Sequence, residues 1–164
     1  MAESVIALFF ILVVFLLAWD AIGAFQTKIF LEHAAARVAR ARSVGLNRFM
    51  CLKSARVATM PVAGESLLDD VPRQAAYNRA GAYLASEDPA EARGILDYEL
   101  WDAMRLEASI DGNVAHVDVE MPARETPELA RLLGEDGVGA SAVAPHGSAQ
   151  IEAHFPLYML DGGL

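Results

Sequence analysis

His116, Asp118 and Glu120 occupy alternate positions, the spacing that sets three side chains on one face of a β-strand. An imidazole beside two carboxylates could hold a divalent cation or pass a proton. Asp69 and Asp70 form a second carboxylate pair, and Gly134-Glu135-Asp136-Gly137-Val138-Gly139 is a flexible acidic loop. None of these stands in the context that its chemistry needs. The glycine loop lacks the flanking strand and helix of a phosphate cradle, and no nucleophile elbow occurs. The four His and the single Cys show no zinc-ligand spacing. His116, Asp118 and Glu120 alternate with Ala115, Val117 and Val119, and so read as the solvent face of a half-buried strand. We assign no catalytic residue, no metal ligand and no cofactor, and expect a protein that is not an enzyme. Cys51 leaves no disulfide within this sequence and is expected to pack locally with Met50.

Charge is divided along the chain. Residues 1–60 carry seven Lys/Arg against three Asp/Glu, and residues 61–164 carry six against nineteen, so a stem of +4 precedes a head of −13. An acidic head argues against a nucleic-acid partner. The asymmetry permits head-to-stem attraction between neighbouring copies, and also describes a plainly solvated acidic surface.

The element that dominates the sequence is at its front. Val5 to Trp19 is uninterrupted apolar residues, Asp20 breaks the run, and Ala21 to Phe25 resume it. Residues 5–25 are long enough for a membrane-spanning helix. Asp20 would cost about 2.5–3.5 kcal/mol at the bilayer centre, and less at its position near one end of the run. A cleavable signal sequence would need a basic start and a small-residue cleavage motif, whereas here Glu3 stands at the start and Ile22-Gly23-Ala24-Phe25 at the end. Helical character continues through residues 26–44, which hold no proline or glycine and are rich in Ala, Leu, Glu and Arg. Ile29, Phe30, His33, Ala34, Arg37 and Val38 recur at helical spacing. The spacing predicts one stem helix over residues 1–44, apolar over 5–25 and amphipathic over 26–44, roughly 65 Å long. An apolar rod of that length must be covered by lipid or by copies of itself. Phe9, Phe10, Phe15 and Trp19 supply its packing area. Glu3 and Asp20 would find partners in a bundle (a terminal amine, a basic side chain), and Glu3 also suits the positive end of the helix dipole.

Residues 45–64 read as a connector, punctuated by Gly45, Asn47, Pro61 and Gly64. Residues 65–164 read as an acidic α+β head. Within it the pattern predicts a short turn at Glu65–Asp70 and a helix from Pro72 to about Ala85. It predicts a further helix from Pro89 to Met104 behind the start signal Ser86-Glu87-Asp88-Pro89. Residues 106–121 alternate with period two around Asp111-Gly112-Asn113, a hairpin. Thr126 to Leu133 reads as a short helix, Gly134 to Gly147 as a loop, and Ser148 to Leu157 as a third antiparallel strand. The expected fold class is α+β: a long protruding N-terminal helix packed on a small antiparallel sheet with short helices.

The start Met1-Ala2-Glu3-Ser4, the following apolar helix and its amphipathic continuation resemble the N-terminal region of type IV pilin-like proteins. Ala-Glu-Ser-Val-Ile-Ala-Leu followed by Phe-Phe-Ile-Leu-Val-Val-Phe-Leu-Leu is most similar to TadE-like subunits of tight-adherence pili. Ala149-Gln150-Ile151-Glu152-Ala153-His154-Phe155-Pro156-Leu157 resembles the strand and aromatic-proline step of that group. The resemblance implies a leader removed by a prepilin peptidase, which the start without a basic segment fits. It implies residence in inner-membrane lipid, then entry through assembly machinery into an extracellular helical homopolymer with the apolar helices at its centre. It also implies pairing of the early glutamate with a neighbour's N-terminal amine; the glutamate is third here, where the family usually has it fifth. The function expected is that of a pilin or pseudopilin, with Glu3, Phe9, Phe10, Phe15, Trp19 and Asp20 as assembly residues. The alternative is a single-pass membrane-anchored adaptor or sensor with a small acidic domain.

Overall fold

A computed structural model describes residues 2–68, 73–122 and 144–153. The chain is α+β. Helix α1 (Ala2–Ser43) is followed by α2 (Arg48–Thr59), a 3-10 turn (Met60–Val62), α3 (Arg73–Ala85), α4 (Pro89–Ile95) and a second 3-10 turn (Glu99–Trp101). Strands β1 (Arg105–Asp111), β2 (Val114–Glu120) and β3 (His146–Glu152) complete the order.

The 42 residues of α1 form one helix about 63 Å long. It ends where glycine permits. Gly45 has φ 85°, and the Gly45 and Leu46 amides donate to the Arg42 and Ala41 carbonyls at 2.9 and 3.1 Å. These two bonds close a Schellman motif over the last turn. The stretch read as a connector, 45–64, holds α2 and the first 3-10 turn. The Asn47 side chain caps α2 by accepting from the Met50 amide at 2.9 Å, and α2 lies against α1. The punctuating residues mark a tight helix-to-helix turn and a helix end.

The sheet has the order β1-β2-β3 and is antiparallel throughout. β1 and β2 form the expected hairpin, turning at Gly112 with φ 58°. β3 is the third strand and begins two residues before the predicted Ser148. The inner face, with Ala115, Val117 and Val119 buried, packs on α1, where Leu31, Ala35 and Val38 share one core cluster with Val117 and Val119. Small residues bring helix and sheet close. At Gly147 an added Cβ would fall within contact distance of the Leu31 carbonyl and the Glu32 backbone nitrogen.

α4 starts at the expected signal, with Asp88 accepting from the Ala90 amide at 2.9 Å and Pro89 in the first turn. It stops at Ile95 rather than Met104. Leu96 and Tyr98 turn extended so that both reach the core, and Tyr98 forms a β-bridge with Ser66. The bridge also replaces the expected helical turn in the described part of Glu65–Asp70. Beyond it lies Trp101, buried against Tyr83 and Tyr98 with ring centroids 5.6 and 4.7 Å away. Its indole nitrogen donates to Thr59 Oγ1 at 3.3 Å, and that hydroxyl donates to the Arg56 carbonyl at 3.1 Å. Lys53 is fully buried. Its ammonium donates to the Leu84 carbonyl at 2.7 Å and to the Ser86 carbonyl, and lies 4.7 Å from the centre of the Phe49 ring. Those carbonyls end α3, where a cation is favoured, so Lys53 ties α2 to α3. The expected helix at Thr126–Leu133 and most of the loop at 134–147 lie outside the described residues.

Candidate assembly surface

The residues that sequence reading marks for assembly all lie on the N-terminal part of α1, clear of the head. Glu3 is in the first turn, where its charge suits the helix dipole. Phe9, Phe10, Phe15 and Trp19 are exposed by 60–65%. On a helix these positions point to several sides rather than forming one stripe, so the stem is apolar all round. Two contacts order the rings locally: Phe9 and Phe10 meet edge to face, and Phe15 stacks on Trp19, each with centroids 6.4 Å apart. Asp20 lies within the same continuous helix. Glu3 and Phe10 are a helical repeat apart, so a neighbour could meet acid and ring on one side. Glu3, Phe9, Phe10, Phe15 and Trp19 are all exposed, away from the core, and α1 is long and apolar enough over this stretch to cross a membrane.

From Leu31 onward the helix changes partner. Leu31, Ala34, Ala35, Val38 and Ala39 are buried under the head, while His33, Arg37, Arg40 and Val44 are exposed. The six positions that recur at helical spacing therefore divide: Ala34 and Val38 are core, and His33 and Arg37 face solvent. The exposed set follows an i, i+4, i+7, i+11 rhythm, a second face that apolar periodicity alone does not reveal.

On the sheet, Asp118 is exposed on the outer face, with His116 and Glu120 half-buried. Glu120 faces Arg105 at 4.0 Å. Among the described residues no three His, Cys, Asp or Glu side chains converge on one point. A cavity of about 300 Å³ lies between α1, α2 and β1, lined by Arg42, Arg48, Cys51, Leu106 and Glu107. Cys51 is buried at its wall, as expected, and burial pushes its thiol pKa up against the lowering influence of Arg42. That is the environment of an unreactive thiol. Tyr83 is likewise pushed up by burial, opposed by a hydrogen bond and charge from Arg56.

No family model, no curated protein and no solved structure matches this chain.

Proposed function

We propose that this chain is a structural subunit of a pilus-like filament, of the type IV pilin-like class and closest to TadE-like subunits, polymerising through α1. The observation that carries the reading is the division of one unbroken helix: a C-terminal third buried by its own head, and a front exposed on every side. Water is a poor solvent for such a front. Lipid covers it in the inner membrane before assembly, and the stems of neighbouring copies cover it in the extracellular filament. Aromatic side chains suit both surroundings, and a stem apolar all round suits burial among several neighbours.

Electron microscopy of material sheared from cells, with N-terminal sequencing of the chain it contains, tests the proposal. Filaments containing this chain are expected. Phe9→Asp or Phe15→Asp should abolish them while the head remains folded, because neither ring touches the head core. A chain that stays in the membrane fraction as a detergent-soluble monomer or dimer, with no filament under any growth condition, would replace this reading with the membrane-anchored adaptor. That second reading draws on the same exposed helix.

A further inference from the structure

Two charged faces of the head carry like charges that make no ion pair among the described residues. The first is the exposed face of α1 under the head, where Arg37 and Arg40 make no ion pair among the described residues. Three apart on a helix, they repel each other. The second is the outer face of the sheet. Glu107 and Asp118 are exposed and directly opposite each other in the β1–β2 register. Like charges in that position also repel. Asp111 and Glu152 add to the same face on the outer strands, and Arg105, held by Glu120, is the one Lys or Arg among its described residues.

The faces cannot meet in one molecule. The inner side of the sheet packs on the buried side of α1, so the acidic face and the basic face point away from each other across the head. We propose that they meet between copies: the Arg37/Arg40 face of one subunit docks on the Glu107/Asp118 face of the next. This deepens the filament reading and rests on it. A contact between two different faces on opposite sides of a molecule is heterologous, and repeating it builds a ring or a helical fibre rather than a closed dimer. Each copy relieves one repulsion on either side.

Lipid is the less fitting partner for the basic face. Arg37 and Arg40 lie about 18 and 22 Å along the helix axis beyond Phe25, where the apolar run ends. Headgroups extend about 5–8 Å past the hydrocarbon, and their field fades over a Debye length of about 8 Å.

Charge reversal in the full-length chain tests the contact. Arg37→Glu with Arg40→Glu, and separately Glu107→Lys with Asp118→Lys, should each lower sheared filament mass about tenfold, the sum of several modest ion pairs. Combining all four substitutions should restore it. Filament mass within about twofold of wild type in both reversed chains would overturn the docking and leave the filament reading standing. A second arm does not depend on filaments. Arg37→Cys with Asp118→Cys, made in a Cys51→Ala background, is oxidised with diamide in membranes. A ladder beyond the dimer supports the contact, and its absence overturns it even where filaments form. If the helix reversal abolishes binding to anionic phosphatidylglycerol vesicles and the combined variant does not recover assembly, the face serves lipid and the proposal fails.

Discussion

Gly147 is the position where one added carbon should do the most damage. β3 crosses α1 there so closely that a Cβ would meet the Leu31 carbonyl group and the Glu32 nitrogen. Both are helix backbone, held by the hydrogen bonds of α1, and have no rotamer to escape to. Relief requires β3 to retreat by roughly 1.2–1.5 Å to reach ordinary van der Waals separation. Overpacking of this kind costs about 1–3 kcal/mol. The retreat also partly uncovers Ala149 and Ile151, which pack on the core from the same strand. At about 25 cal/mol/Å², exposing some 50 Å² adds roughly 1 kcal/mol. Gly147→Ala should therefore destabilise the head by about 2–4 kcal/mol, a loss of about 1–3 M in urea midpoint. Trp101 fluorescence reads the transition, in a Trp19→Phe background so that the buried indole is the only tryptophan reporter. Gly81→Ala is the control. It lies in α3 with nothing within 4 Å of the added carbon, and should be neutral or stabilising by up to about 1 kcal/mol. If Gly147→Ala unfolds within about 0.5 kcal/mol of its parent, the close crossing of β3 over α1 is wrong.

Lys53→Met keeps the length of the side chain but removes the donor to the Leu84 and Ser86 carbonyls, and should cost about 1–3 kcal/mol in the same urea assay. A variant as stable as wild type would show that those carbonyls find other donors. Stability should fall on the alkaline side. Burial raises the Cys51 thiol and the Tyr83 hydroxyl above their ordinary values of 9.0 and 10.0. The folded state therefore holds these protons more tightly. The stabilisation is complete below the ordinary values and is lost as pH rises through the raised ones. Urea midpoints measured from pH about 8 to about 11 should decline, and less steeply in Cys51→Ala and Tyr83→Phe; equal slopes in all three chains would refute the assignment.

The architecture was readable from sequence wherever a single local rule governs. α1 shows as a long apolar run followed by helix formers with no proline or glycine from residue 26 up to Gly45, and the hairpin as period-two alternation around Gly112. The start of α4 shows in Asp88-Pro89. What could not be read depends on contacts between distant segments. Residues 96–104 carry a helix-compatible pattern, but Leu96, Tyr98 and Trp101 are drawn extended or into a tight turn because Tyr98 pairs with Ser66 and Trp101 reaches Thr59. Asn47 reads equally as loop punctuation or as a helix cap until α2 is seen packed on α1. Lys53 reads as surface by composition and is buried, because its partners are the carbonyls of Leu84 and Ser86, far along the chain. The exposure of Phe9, Phe10, Phe15 and Trp19 was legible for a different reason: the apolar run lies at the far end of a helix about 63 Å long, whose buried residues begin only at Leu31.

The stem also accounts for why the chain divides its burial so sharply. Fourteen large apolar side chains between Val5 and Ile29 remain 47–70% exposed. Covering what remains, at about half of the 1.5–3 kcal/mol that a fully buried side chain contributes, comes to roughly 10–20 kcal/mol. That matches or exceeds the whole stability of a typical domain. None of it contributes to folding the head, whose core is built from α1 only after Phe30. The free energy is therefore held for whatever covers the stem. Lipid and neighbouring stems supply it nearly equally, since one hydrocarbon environment replaces another. Transfer between them is then decided by smaller terms: packing of Phe9, Phe10, Phe15 and Trp19, the cost of Glu3 and Asp20 in lipid, and contacts between heads. On the proposed function, the subunit waits in a membrane and leaves it without unfolding only where those smaller terms favour the assembled state.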